Sequence, residues 1–374
     1  MIQTFERVEE HRRSAAGGHP WAGRKHVLDL DDFSRSEIEV TLESADRMKE
    51  ILSRRMRRVP ALRGRTVVNL FYEASTRTRV SFEVAAKNLG ADVINVSASG
   101  SSVEKGETLL DTVRTLTALG AELLVVRHKD SGAPYTVAQH TGISVVNAGD
   151  GTHAHPTQAL LDAYTIRERF GTIEGLRVVI VGDIAHSRVA RSDAWCLATL
   201  GADVTLCGPP TLLPPTLLRD PGGAPWPARV DYELERAMDG ADVIMPLRIQ
   251  LERQEGNRLS SLREYTRDYA ITRQRMERAA DRAIVMHPGP MNEGVEIDPD
   301  VAHGERSVVQ TQVTNGVAIR MAVLYLLMAA ASADPLAMGR VDQMRRTGAM
   351  SETFGHTEPV AEASRSTMTN GAHA

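Results

Sequence analysis

At 374 residues the chain exceeds what one typical core holds, so two domains are expected, each large enough to bury its own interior. A formal net charge of −4 and the lack of a long basic run argue against nonspecific nucleic-acid binding, so any anion site must be local. Cys196 and Cys207 form no CxxC pair and have no zinc-like histidine spacing, which fits a reducing cytosol and a protein without a metal site.

Residues 1–25 are polar and carry charges from Glu6 to Arg13, where a secretory signal needs an apolar core. They are read as an N-terminal extension. A helix is predicted from Asp32 to Ser53, where Leu42, Ala45, Met48 and Leu52 recur near helical spacing. Strand-like runs at 66–72, 92–96, 121–127 and 142–147 then alternate with helical stretches at 77–90, 107–119 and 134–141, the pattern of a parallel sheet. A second series of strands at 177–183, 202–207, 241–247 and 282–286 predicts a second α/β unit. The Pro-rich stretch from Gly208 to Pro227 reads as a surface excursion, and the tail after Ser332 loses apolar periodicity. The longest apolar run, Met321 to Ala331, is too short to cross a bilayer, so no membrane role is expected.

The segment Ser75-Thr76-Arg77-Thr78-Arg79 directly follows the apolar run 67–71. A strand opening into a helix there aims backbone N–H groups, hydroxyls and Arg77 at one point, which suits a phosphate dianion. An ordinary helix cap needs the hydroxyls but gains nothing from arginines at a helix N-terminus. Ser101-Ser102-Val103-Glu104-Lys105-Gly106-Glu107 has the composition of an outward loop, and Arg127 ends the apolar strand Leu123 to Val126, at the carboxyl edge where open α/β sheets bind ligands. In His155-Pro156-Thr157-Gln158 the proline fixes a helix start. His155 there suits polarising a carbonyl, and Gln158 suits accepting from an amide NH2. Val181-Gly182-Asp183 lacks the further glycines of a dinucleotide-binding turn, leaving Arg188 just inside the next helix for a carboxylate. Alternation puts Arg248 and Gln250 on one side, and His287-Pro288-Gly289-Pro290 forms a rigid turn that offers carbonyl oxygens.

Taken together and in order, these blocks resemble the catalytic chains of the aspartate carbamoyltransferase family, within the aspartate/ornithine carbamoyltransferase superfamily, over residues 26 to 332. The resemblance implies two mainly parallel sheets flanked by helices, with carbamoyl phosphate held by residues 26–156, aspartate by 157–314, and a helix at 315–332 returning to the first domain. Residues 333–374 form a polar tail outside it. It implies carbamoyl transfer from carbamoyl phosphate to L-aspartate in pyrimidine synthesis, with no cofactor. Ser75, Thr76, Arg77 and Thr78 are implied to hold the phosphate. Thr78, Arg127 and His155 are implied to contact the carbonyl oxygen, and Gln158 with the carbonyls of Pro288 and Gly289 the amide. Arg188, Arg248 and Gln250 are implied to bind the aspartate carboxylates. A homotrimer with shared sites, Ser101 and Lys105 entering from the neighbouring subunit, follows from the same resemblance, as does compatibility with a regulatory chain or dihydroorotase as partner.

Physically, two anionic reactants in one cleft need concentrated cations, and Arg77, Lys105, Arg127, Arg188 and Arg248 supply them. Two positions depart from relatives: Glu293, where a basic residue is common, and Val189, where some have a hydroxyl. The rival readings are an ornithine carbamoyltransferase, which typically has a cysteine after the histidine of the 287–290 loop, and a non-catalytic scaffold in a complex of pyrimidine enzymes.

Overall fold

Two wholly parallel five-stranded sheets organise the computed structural model, which describes residues 19–97, 107–213, 226–250 and 261–331. The first has the order β1-β5-β4-β2-β3, from β1 (His26–Val27), β2 (Thr66–Phe71), β3 (Asp92–Ser97), β4 (Leu123–His128) and β5 (Ser144–Asp150). The second has the order β10-β9-β6-β7-β8, from β6 (Arg177–Val181), β7 (Asp203–Cys207), β8 (Arg229–Asp231), β9 (Val243–Pro246) and β10 (Ile284–Val285). Helices α1 (Arg35–Ser53), α2 (Thr76–Asn88), α3 (Leu109–Ala118) and α4 (Ala133–His140) accompany the first sheet. The remainder are α5 (Pro156–Phe170), α6 (Arg188–Thr199), α7 (Leu234–Met238), α8 (Leu262–Tyr269), α9 (Arg273–Met276), α10 (Pro299–Ala302) and α11 (Val309–Ala331).

The inner strands β2, β4, β6 and β9 are mostly apolar runs, and both sheets are built around them. Every residue of β5 is buried, as are Leu123 to Arg127 of β4, which is what a strand covered by helices on both faces requires. Helix starts follow local chemistry. α1 begins at Arg35, later than the predicted Asp32, because Ser34 and Glu37 form a capping box: the Ser34 hydroxyl accepts from the Glu37 amide at 3.3 Å and Glu37 Oε2 accepts from the Ser34 amide at 2.8 Å. The two- and three-residue strands β1 and β8 and the four-residue α10 carry too few residues for a periodic signal and were absent from the expected pattern, whereas α7, α8 and α9 fall between strands of the second series, where an α/β unit places helices. Part of the predicted excursion at Gly208 to Pro227 is packed, since Leu212, Leu213 and Trp226 are buried; residues 214–225 lie outside the described ones.

One core spans both sheets. It joins Val67, Leu123 and Val146 of the first to Val178, Ile180 and Val243 of the second through Leu160, Ala163 and Ile166 of α5 and Ile319, Leu326 and Leu327 of α11. Each fully buried aliphatic side chain contributes roughly 1.5–3 kcal/mol relative to exposure. α11 begins at Val309 rather than 315, directly after Val308 donates to the Val285 carbonyl at 3.0 Å. It is long and apolar enough to cross a bilayer by length and composition, but it packs against α1, α2 and α5 and is largely buried within the molecule. The predicted run of Met321 to Ala331 is thus only the apolar half of a longer core helix.

Asp193 on α6 is fully buried, and neither carboxyl oxygen has a hydrogen-bond partner among the described residues. Burial, reinforced by nearby Asp162, pushes its pKa well above the carboxylate range. A folded pKa above the unfolded one costs stability increasingly as pH rises past the unfolded value near 4, because only the unfolded chain then ionises freely. Asp193→Asn is therefore expected to leave the melting temperature unchanged in acid and raise it by several degrees at neutral and alkaline pH, read from thermal melts across that range.

Candidate functional site

Each sheet has one point where its strand order reverses. β2 is followed in sequence by β3 on one side and then by β4 on the other; β6 is followed by β7 on one side and β9 on the other. Loops leaving the carboxyl ends of such strand pairs diverge and open a crevice. The loops after β2, β4, β6 and β9 line a single cleft of about 1420 Å³. Ser75, Thr76, Arg77, Thr78, Arg127, His155, Gln158, Arg188, Arg248, Gln250, Pro288 and Gly289 all line it. Ser101 and Lys105 lie outside the described residues.

Ser75 caps α2, its hydroxyl accepting from the Thr78 amide at 3.4 Å, so Thr76, Arg77 and Thr78 occupy the first turn. Amides there lack intrahelical acceptors and face the cleft with the helix dipole behind them. Arg77 reaches across the cleft, its Nη1 donating to the Pro288 carbonyl at 2.6 Å. That closeness depends on Gly289, whose φ is +63° and where a Cβ would collide with the Arg77 guanidinium.

Arg127 ends β4 and Arg188 opens α6, yet both converge on Glu73 in the loop after β2. Arg127 Nη2 and Arg188 Nη2 each donate to Glu73 Oε1 at 2.6 Å, and Arg188 Nη1 donates to Oε2 at 3.0 Å. The two guanidiniums are further held by the carbonyls of Ala148 and Gly151, at 3.0 and 3.1 Å. Gly149, at φ +115°, lets them pass, since a Cβ there would stand 3.0 Å from both Arg127 Nη1 and Arg188 Nε. Glu73 escaped the sequence reading although it stands two residues before Ser75; a carboxylate between a strand end and a phosphate segment was its only signal.

His155 stands at the mouth of α5, 4 % exposed, with its amide donating to the Ser192 hydroxyl at 2.9 Å. Burial first, then the charges of Arg127, Arg188 and Arg320, hold its pKa well below the usual imidazole value, so near neutral pH it presents a neutral ring able to donate one N–H. Arg320 is a further cation that sequence reasoning missed: a lone arginine in the apolar helix α11, it lines the cleft and donates to the Ser81 hydroxyl at 2.9 Å. Burial, with Arg127 and Arg77 nearby, lowers its pKa to about 10.

On the opposite wall, Leu247 and Ile249 are buried while Arg248 and Gln250 are half-buried and line the cleft. The Gln250 amide donates to Asp183 Oδ2 at 3.4 Å. Glu293 is not among the lining residues; it accepts from His303 Nε2 at 3.0 Å on the exterior. Val189 lines the cleft beside Arg188. Among the described residues no group of three His, Cys, Asp or Glu side chains is placed to hold a metal ion.

The arrangement suits a ligand with a phosphate at α2 and a planar carbonyl between Arg127, His155 and Gln158. Gly289→Ala forces both a strained φ and a displaced Arg77. It is expected to weaken binding of inorganic phosphate by about tenfold or more, the scale of one lost charge-assisted hydrogen bond, in calorimetric titration, with the melting temperature lowered by a few degrees by the strained backbone.

Comparison with known proteins bears on the same residues. Residues 25–168 match the family model described as aspartate/ornithine carbamoyltransferase, carbamoyl-P binding domain, and residues 174–327 match its Asp/Orn binding domain. The chain is 61% identical to an aspartate carbamoyltransferase catalytic subunit of Roseiflexus castenholzii, over 84% of this chain and 98% of that one. It superposes with a TM-score of 0.74 and 31% identity on aspartate transcarbamoylase of Trypanosoma cruzi in complex with carbamoyl phosphate, covering 82% of this chain and 97% of that one. The ornithine carbamoyltransferase of Pyrococcus furiosus is also similar, with a TM-score of 0.71 and 31% identity over 82% of this chain and 97% of that one, so fold alone does not separate the two substrates. On the two matched domains and this identity, the chain belongs to the aspartate/ornithine carbamoyltransferase family.

Proposed function

We propose that the chain is an aspartate carbamoyltransferase, moving the carbamoyl group of carbamoyl phosphate to the amine of L-aspartate to give N-carbamoyl-L-aspartate and phosphate, as a step of pyrimidine synthesis. The observation that carries the choice of aspartate is the wall formed by Arg188 and Arg248 with Gln250, facing the phosphate cradle of Ser75 to Thr78. Two guanidiniums suit two carboxylates; ornithine brings one carboxylate and an ammonium group. The naming of relatives near 60% identity supports the same choice.

On this reading residues 26–156 hold carbamoyl phosphate and 157–314 hold aspartate, with α5 as the strut between them. The neutral amine attacks the carbonyl carbon, the new C–N bond forms, and the C–O bond to phosphate breaks as phosphate leaves with its electron pair and takes up the proton that the attacking nitrogen gives up. Charge gathers on the former carbonyl oxygen, where Thr78, Arg127 and neutral His155 donate; one such donor is worth roughly 3–4 kcal/mol. Fixing both reactants in one cleft removes part of an entropic barrier, up to about 7–11 kcal/mol. Arg77 and the amides at the start of α2 stabilise the departing phosphate. No cofactor is invoked.

The decisive assay offers carbamoyl phosphate with aspartate and, separately, with ornithine. Formation of carbamoyl aspartate is expected, and exclusive use of ornithine, or no product, rejects the reading. In the same assay Arg248→Ala is expected to raise the KM for aspartate at least about tenfold, as for a lost charged hydrogen bond, with little change for carbamoyl phosphate.

The reading extends to a cytoplasmic homotrimer with shared sites. Val80, Val84 and Val313 are exposed at the rim of the cleft, and Ile94 is exposed on the edge strand β3, an apolar border suited to another subunit. Ser101 and Lys105 act from that neighbour. Mixing a Lys105→Ala chain with an Arg77→Ala chain is expected to restore activity, since each mixed trimer regains one complete site; mixtures as inactive as their parents argue for self-contained sites.

A further inference from the structure

Asp162 lies on α5 one turn beyond Gln158, fully buried and without a part in the reaction as described. Gln158 Nε2 stands 3.1 Å from both of its oxygens, and Gln312 Nε2, from α11, stands 2.7 Å from Oδ1. A carboxylate only accepts, so it compels both glutamines to turn their NH2 groups inward and their oxygens outward. The outward oxygen of Gln312 receives the His287 amide at 2.9 Å, the first residue of the turn whose Pro288 carbonyl is also held by Arg77. The outward oxygen of Gln158 is left for the cleft that Gln158 lines.

We propose that Asp162 is the positioning residue that sets the polarity of the subsite for the carbamoyl NH2, by fixing which way the Gln158 amide faces and, through Gln312, where the 287–290 turn places its carbonyls. The proposal rests on the carbamoyl-transfer reading above and deepens it. Two acceptors for one NH2, contributed by separate stretches of chain, are thereby locked to a single buried group. A substrate analogue with a methyl in that place offers no proton to either, and a site built around buried acceptors rejects such an analogue. Burial raises the Asp162 pKa to about 7 against the pull of the two glutamine amides, so the locking is complete on the alkaline side of that value.

Asp162→Asn replaces one acceptor by a donor, so an NH2 stands against Gln158 Nε2 or Gln312 Nε2 and the opposed glutamine is no longer held with its oxygen outward. The test measures binding to the full chain, on the alkaline side, of phosphonoacetamide and of 2-oxopropylphosphonate, which carry NH2 and CH3 at the same carbonyl. The wild-type chain is expected to prefer the amide, and Asp162→Asn to lower that preference about tenfold by weakening the amide alone. Gln312→Leu, which cuts only the arm to His287, is expected to lower it about threefold. A preference unchanged in either variant, once a thermal melt shows that variant folded, overturns the proposal, as does equal weakening of both ligands, which marks a merely structural role. A wild-type chain that makes no carbamoyl aspartate and binds neither phosphonate overturns the parent reading, and this one with it.

Discussion

Bringing several guanidinium groups to one cleft before any anion arrives is the constraint on which the rest of the structure depends. Two like charges about 4 Å apart at the effective dielectric of a protein surface repel by about 4 kcal/mol. Glu73 offsets that repulsion by taking Arg127 and Arg188 on one carboxylate, and the carbonyls of Ala148 and Gly151 each take one further guanidinium proton. Glu73 leaves the first sheet and Arg188 opens a helix of the second, so the neutralising contact is also a tie between the two. The charge problem and the problem of holding two sheets around a crevice have a common solution.

Where the sheets came from local chemistry, the chain announced them. Val67 to Phe71 and Leu123 to Val126 are apolar without alternation, and the structure buries them as parallel strands. Arg127 was legible as a strand-end cation and Arg188 as the opening of a helix, because each position follows from the element before it. The closing helix was legible only in its apolar half, since Gln312, Asn315 and Arg320 break the run that a hydropathy reading follows.

The residues that escaped notice share a different property. Gln312 and Asp162 are 150 positions apart, and Arg188 and Glu73 are 115 apart. Nothing in periodicity or capping ties such partners together, and each alone looks like a polar residue on a helix or in a loop. Glu293 shows the converse: it stands out from relatives that commonly have a basic residue there, while its side chain accepts from His303 away from the residues that line the cleft. Motif order located the cleft; it took three-dimensional packing to find what orients the groups inside it.

α11 comes last among the described elements yet covers α1, which is nearly the first. On a ribosome, strands β2 to β5 emerge long before the helix that closes over their flank, so the early half of the chain waits with apolar surface uncovered until that helix has been made. Contacts so distant in sequence slow folding and leave partly built chains prone to association. The first half of the chain can therefore complete its core only once the helix that begins at Val309 is available to it.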